Sequence, residues 1–158
     1  MLRVVGHILI TGMSGVGKSS VLSELSRRGH RIVDTDYGQR VRADGTWDEP
    51  RMAALLSGSS PVVVSGTVEN QGRFYDRFGA VILLSAPVDV LLHRLSVRTN
   101  NPYGKSRSDL AELRRYVRDV EPLLRRGATL ELDARRPVSE LADEVEKLIV
   151  PPDSMGAP

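Results

Sequence analysis

One short segment limits what this chain can fold into more than any other: residues 12–19 read Gly-Met-Ser-Gly-Val-Gly-Lys-Ser. This fits the pattern of a glycine, four residues and Gly-Lys-Ser, in which backbone N–H groups surround phosphate oxygens. Glycines let the backbone curl tightly, and the helix that begins near Lys18 adds the positive end of its dipole. The pattern predicts that Lys18 bridges the β- and γ-phosphates of a nucleotide, and that the Ser19 hydroxyl binds Mg²⁺.

The flanking sequence supports this prediction, because Val4–Ile10 is typical of a buried strand and Lys18–Arg28 has helical spacing of apolar residues. We therefore expect the loop and the first helical turn to bind ATP, with a further contact from Arg94. The expected nucleotide-binding residues are Gly12, Ser14, Gly15, Val16, Gly17, Lys18, Ser19, Ser20 and Arg94.

Strand and helix patterns alternate along the rest of the chain, which predicts an α/β fold: a doubly wound, parallel five-stranded sheet with helices on both faces. We expect residues 1–150 to form one P-loop NTPase domain and residues 151–158, rich in Pro, Gly and Ser, to form a disordered tail. Further strands are predicted at 31–34, 61–65, 79–85 and 128–133, and further helices at 47–56, 87–98, 109–126 and 138–149.

Composition narrows the classes of function. The chain has 158 residues and no cysteine, which excludes disulfides, thiolate metal sites and a thiol nucleophile. The net charge of +2 makes no general case for nucleic acid, and the short apolar run near the N-terminus cannot span a membrane, so we expect a cytoplasmic protein. The sequence lacks the Asn-Lys-x-Asp motif that reads guanine, which leaves mainly small ATP-dependent kinases.

Two carboxylates follow the second strand, in the segment Asp34-Thr35-Asp36. Ligands of parallel sheets bind beyond the carboxyl ends of the strands, so we expect these side chains next to the phosphate loop. One carboxylate can hold Mg²⁺ through water while the other orients an acceptor hydroxyl and takes its proton. Because Ser65-Gly66-Thr67 provides no acid after the third strand, Asp34 is the expected magnesium ligand together with Ser19.

Arg94 and Arg98 are four residues apart on a predicted helix, so they share a face, and a polar loop follows them. This arrangement is typical of a kinase lid, here at about residues 99–108, which closes over the phosphates and excludes water. We expect Arg98 to neutralise charge on the transferring phosphoryl group. The predicted catalytic residues are Lys18, Asp34, Asp36 and Arg98.

These motifs resemble small P-loop kinases, the group that includes nucleoside monophosphate, shikimate and gluconate kinases. The segments Gly29–Asp36 and Glu121–Asp133 are similar to shikimate kinases, and the two arginines to those that open the lid of adenylate kinases. The segments Trp47–Arg51 and Phe74–Phe78 most resemble the atypical, nuclear-type branch of adenylate kinases. The resemblance implies strand order 2-3-1-4-5 and a reaction that uses ATP and Mg²⁺.

The sequence thus predicts an ATP-dependent phosphotransferase, with two acceptor classes open. The aspartate pair favours a hydroxyl acceptor, whereas a monophosphate acceptor needs arginines, for which there are several candidates. A different class also stays open: an ATPase switch or accessory protein that acts on a macromolecular partner. The arginine candidates are Arg40, Arg42, Arg51, Arg73 and Arg77.

Overall fold

The computed structural model describes residues 6–99 and 103–149, and within these ranges the predicted α/β architecture is confirmed. Five parallel strands form one sheet in the order β2-β3-β1-β4-β5. The strands are β1 (Ile8–Thr11), β2 (Ile32–Asp34), β3 (Val63–Ser65), β4 (Ala80–Ser85) and β5 (Leu130–Asp133). The helices are α1 (Lys18–Arg27), α2 (Glu49–Leu56), α3 (Val88–Val97), α4 (Arg107–Asp119), α5 (Glu121–Gly127) and α6 (Val138–Ile149), with a 3₁₀ helix at Gln71–Arg77.

Strand β1 lies at the centre of the sheet, between β3 and β4, and both of its faces are covered. Its residues Ile8 and Ile10 belong to a core that includes the buried faces of α1 and α6, whereas Leu9 belongs to a second core with Trp47 and Phe74. All four residues of β1 are buried, as a central parallel strand requires. The sheet therefore fixes the residue that follows β1, which is the first glycine of the phosphate loop.

Apart from shifts of a few residues at the ends of elements, such as a first strand that begins at Ile8, two elements differ from the prediction. The helix expected at 109–126 is divided at Val120, because Pro122 has no N–H to continue the hydrogen-bond ladder and its ring crowds the preceding turn. The 3₁₀ helix was not predicted, since its residues show no helical spacing of apolar side chains over a sufficient length. The predicted tail, residues 151–158, lies outside the described residues.

None of the helices within residues 6–99 and 103–149 is long and apolar enough to cross a membrane.

The one tryptophan of the chain lies in the second core. Trp47 is fully buried, lies edge-on to Phe74 with ring centroids 5.8 Å apart, and donates its indole N–H to the Thr35 hydroxyl at 3.0 Å. We predict that Trp47→Ala lowers the free energy of unfolding by about 3–5 kcal/mol, because it removes a large buried ring and leaves a cavity.

Urea unfolding followed by far-ultraviolet circular dichroism measures this loss. Val97→Ala is the control, since Val97 is 60% exposed on α3 and its truncation should change stability by no more than about 0.5 kcal/mol. Equal effects of the two substitutions would contradict the assigned role of Trp47.

Candidate active site

The phosphate loop joins β1 to α1 and has the backbone geometry that its glycines predict. Gly15 and Gly17 have φ angles of 91° and 96°, and Gly17 is the N-terminal cap of α1. Gly12 leaves no room for a side chain, because a Cβ there would lie 2.5 Å from the carbonyl oxygen of Leu84 in β4. The loop thus packs closely against the sheet, which is possible because a glycine lies at the point of contact.

A cleft of about 480 Å³ opens over this loop and α1. On the β2 side it is bounded by Asp36 and Tyr37, and on the β4–β5 side by side chains of α3, α6 and the loop after β5. Of the predicted residues, the cleft brings together Ser14, Gly15, Val16, Gly17, Lys18, Ser19, Ser20, Asp36, Arg94 and Arg98. Gly12 and Asp34 do not line it, although both contact residues that do.

Lys18 lies between the two sides of the cleft. Its ammonium group donates to the carbonyl oxygens of Gly12 at 2.6 Å and Met13 at 3.4 Å, both in the phosphate loop. Burial lowers the pKa of Lys18 to about 8, against the opposing attraction of Asp36 and Asp34. The group is therefore a poorly hydrated cation, and such a cation gains more from an incoming phosphate than a hydrated one does.

Ser19 and Asp34, the two predicted magnesium ligands, lie in direct contact with each other. The Ser19 hydroxyl donates to Asp34 Oδ2 at 2.7 Å, and Asp34 Oδ1 accepts from the backbone N–H of Asp36 at 3.1 Å. Among the described residues there is no group of three or more His, Cys, Asp or Glu side chains that could hold a metal ion. Hard oxygen ligands in this small number fit Mg²⁺, which keeps several waters and takes the rest of its ligands from phosphates.

The Asp36 side chain is exposed and lines the cleft, and its charge interacts with that of Lys18. Partial desolvation raises the pKa of the Asp36 carboxyl above its usual value, with Lys18 opposing this and Asp34 adding to it. A carboxylate whose pKa is raised in this way is a better base than an ordinary surface aspartate.

The two predicted arginines both line the cleft but differ in their contacts. Arg94 donates to the carbonyl oxygens of Gly15 at 3.1 Å and Ala134 at 2.8 Å, and so braces the phosphate loop against the loop after β5. Helix α3 ends at Val97, so Arg98 is its C-terminal cap and has extended backbone angles. Its guanidinium donates to the carbonyl of Tyr103 at 3.2 Å, and no hydrogen-bond partner of its buried Nε lies in the described part of the chain.

A buried polar network that sequence reasoning missed holds the start of the loop. The Thr67 hydroxyl accepts from the Gly12 N–H at 3.2 Å and donates to the Gly12 carbonyl at 2.7 Å. Thr11 lies 3.0 Å from the same hydroxyl and accepts from Gln71 at 3.2 Å. The position of Thr67, just after the end of β3, could have suggested a place near the phosphate loop. A single threonine or glutamine, however, forms no sequence motif that would identify such a role.

Other lining residues were also missed by sequence reasoning because they lie far from the loop in the chain. The loop after β5 and the start of α6 reach the cleft only through the sheet order, which places β5 on the far side of β4. The residues missed in this way are Ala134, Arg136, Val138 and Leu141. Tyr37, directly after Asp36, also lines the cleft without having been predicted, whereas Tyr103 belongs to the predicted lid. The predicted lid is partly outside the described residues, which omit 100–102, and Arg107 and Ser108 are the first residues of α4.

Comparison with known proteins identifies the family to which this chain belongs. The AAA domain family matches residues 8–115. The shikimate kinase of Microcystis aeruginosa is 32% identical to this chain over 166 aligned positions, which cover 90% of the chain and 84% of that protein. The chain belongs to the AAA domain family, within the shikimate kinase and gluconokinase group of P-loop kinases. The predicted P-loop kinase is thus confirmed at the level of the family.

Solved structures agree with this P-loop kinase fold. A shikimate kinase from Acinetobacter baumannii in complex with shikimate has a TM-score of 0.69 at 22% identity, covering 91% of this chain and 92% of that one. A gluconokinase from Sinorhizobium meliloti has a TM-score of 0.55 at 24% identity, covering 90% of each chain. At these identities the likeness shows the fold alone.

One further relative matches only part of this chain, and one predicted resemblance is not supported. The HPr kinase/phosphorylase of Clostridium kluyveri is 43% identical, but over 65 residues, so the chain spans only 18% of that protein's length. The predicted resemblance to the atypical adenylate kinase branch is not supported. The segments that suggested it have structural roles instead, since Trp47 and Phe74 pack in the second core.

The pKa of Lys18 leads to a prediction for nucleotide binding. In the free protein the ammonium should lose its proton as the pH rises through about 8, and bound phosphate should favour the charged form. We expect the Kd for MgATP to be nearly constant from about pH 7 to 8 and then to rise by up to about tenfold per pH unit.

Isothermal titration calorimetry with MgATP measures this dependence. Lys147→Ala is the control, because Lys147 pairs with Glu144 on the surface of α6 and should leave the pH profile unchanged. A constant affinity up to about pH 10, where ordinary lysines titrate, would contradict the lowered pKa.

Proposed function

We propose that this protein transfers the γ-phosphoryl group of ATP to a hydroxyl group of a small acceptor, with Mg²⁺ as the metal cofactor. The observation that carries the proposal is that Lys18, at the end of the phosphate loop, and the Asp36 carboxylate line the same cleft. The relatives named for shikimate and gluconate phosphorylation support a hydroxyl acceptor.

Charge on the acceptor side favours a hydroxyl over a monophosphate. Three of the five candidate arginines are engaged elsewhere: Arg51 donates to the Gln39 carbonyl and side chain, Arg73 pairs with Glu49 at 3.3 Å, and Arg77 lies over the Phe74 ring. The carboxylate of Asp36 would also repel an acceptor that already carries a phosphate dianion.

The reaction follows from the positions of the side chains. Backbone N–H groups of residues 15–18 and the Lys18 ammonium hold the phosphates, and Arg94 holds the loop through the Gly15 carbonyl. Ser19 and Asp34 would hold Mg²⁺, which when bound neutralises phosphate charge. Asp36 accepts the proton of the acceptor hydroxyl as its oxygen bonds to phosphorus, and the bond from phosphorus to the β–γ bridging oxygen breaks to release ADP. Most of the rate enhancement then comes from positioning and charge stabilisation.

Lys18 is the first test of this mechanism. We predict that Lys18→Ala lowers the turnover number by at least about 10²-fold, because it removes the main cation facing the transferring group. A coupled assay of ADP release measures turnover, with Lys147→Ala again as the control. Full turnover by Lys18→Ala would mean that the site is misassigned.

Asp36 separates the two acceptor classes. We predict that Asp36→Asn lowers turnover on a hydroxyl acceptor by about 10²–10⁴-fold and leaves the Kd for MgATP nearly unchanged, because the general base is lost while phosphate binding is kept. The matched control is Asp44→Asn, since Asp44 lies in an exposed turn away from the cleft and accepts hydrogen bonds from Thr46.

The acceptor is found by screening hydroxy acids, polyols and nucleoside monophosphates with MgATP for ADP release. We expect the best substrate to be a hydroxy acid or a polyol, and to depend on Asp36. A nucleoside monophosphate as best acceptor, with a mild effect of Asp36→Asn, would overturn the proposal. ATP hydrolysis that only a macromolecular partner stimulates would favour the switch instead.

A further inference from the structure

Lys105 makes an unusual set of contacts at the end of α3. Its ammonium group donates to three backbone carbonyls, those of Leu95 at 2.8 Å, Ser96 at 2.7 Å and Arg98 at 2.5 Å. The last carbonyls of a helix have no partner within the helix, and they carry its negative dipole end. The Lys105 side chain therefore caps α3 where the chain leads into Arg98.

Arg98 is held at both of its ends by the segment that carries Lys105. Its carbonyl oxygen accepts from Lys105, and its guanidinium donates to the carbonyl of Tyr103 at 3.2 Å. Arg98 lines the same cleft as Lys18, and its positive charge contributes to the lowered pKa of Lys18. Arg98 and the phosphate loop therefore share one cleft, in which a phosphoryl group bound at the loop would meet the charge of the guanidinium.

The segment Tyr103–Lys105 is itself anchored on both neighbouring helices. Gly104 packs so closely on α3 that a Cβ there would lie 2.5 Å from the Cβ of Leu95, and its φ of 92° disfavours other residues. The Gly104 N–H donates to Asp109 at 3.0 Å, and the Tyr103 hydroxyl to Glu112 at 2.8 Å, both on α4. Because α3 and α4 hold the segment Tyr103–Lys105 in place, its hydrogen bonds to Arg98 restrict the position of the Arg98 backbone.

We propose that Lys105 is a positioning residue of the kinase reaction: it fixes the end of α3 so that Arg98 presents its guanidinium to the transferring phosphoryl group. The inference rests on the proposed function, because it takes phosphoryl transfer in this cleft as the reaction. It assigns Lys105 no contact with substrate. A lysine that only stabilised the helix would affect folding stability and would act independently of Arg98.

A double-mutant cycle tests this coupling with the wild type, Lys105→Met, Arg98→Met and the double variant. We expect Lys105→Met to lower kcat by about tenfold or more with a MgATP Kd within about threefold of the wild type, and Lys105→Arg to recover much of the loss. In the Arg98→Met background, Lys105→Met should change kcat by less than about twofold, because the residue that it positions is already absent.

Controls keep the result interpretable. Lys147→Met is the matched surface lysine and should leave kcat unchanged. Circular dichroism confirms folding, and Lys105→Gln replaces Lys105→Met if the latter does not fold. Independent, multiplicative losses in the cycle would overturn the proposal, as would a full kcat for a folded Lys105→Met or Lys105→Gln variant.

A separate arm distinguishes failure of this inference from failure of the proposed function. If no small acceptor is turned over, the four proteins are compared for binding of MgADP with aluminium fluoride, which imitates the phosphoryl group in transfer. Lys105→Met should weaken this complex more than MgADP alone, and only when Arg98 is present. Equal weakening of both complexes would overturn the role of Lys105, whatever the acceptor is.

Discussion

The close approach of the phosphate loop to β4 is the contact on which the rest of the site depends. At Gly12 the backbone passes so near the Leu84 carbonyl that no side chain fits, and the Thr67 hydroxyl holds the same glycine from the other neighbouring strand through both its N–H and its carbonyl. The loop is thus fixed to β4 on one side and to the end of β3 on the other. Because Lys18 bonds the Gly12 carbonyl, its position follows from this arrangement.

The electrostatics of the cleft follow from where the sheet order brings its charges. The end of β2 places the Asp36 carboxylate on one side of the cleft, and the end of α3 places Arg94 and Arg98 on the other, with Lys18 between them. Such a division suits a reaction in which a neutral hydroxyl group gives up a proton, while the other reactant is a polyphosphate whose negative charge must be balanced. The protein itself takes little part in covalent chemistry, so the reaction rate depends mainly on how precisely these charged groups are positioned.

The sequence allowed the fold and the centre of the site to be predicted, because both have local signatures. Glycine spacing located the loop, buried strands were continuous apolar runs, and Asp34 and Asp36 followed a strand end. The far wall of the cleft could not be predicted in this way, since Ala134 and Arg136 reach it only through the position of β5 in the sheet. The division of the helix at Val120 depended on one proline within an otherwise helical pattern, and Lys105 gave no signal because its partners are backbone carbonyls.

The buried indole of Trp47 has a consequence for how this protein can change. Its N–H donates to Thr35, which stands between Asp34 and Asp36 and donates to the Ser65 carbonyl at 2.8 Å, and a Cβ at Gly66 would lie 2.3 Å from the same threonine oxygen. The Thr35 hydroxyl therefore links the backbone that carries both carboxylates to the hydrophobic interior, in addition to the pairing of β2 with β3. Substitutions around Trp47 in the second core would therefore shift the backbone of Asp34 and Asp36. Packing and acceptor preference are coupled in this way on the β2 side of the sheet.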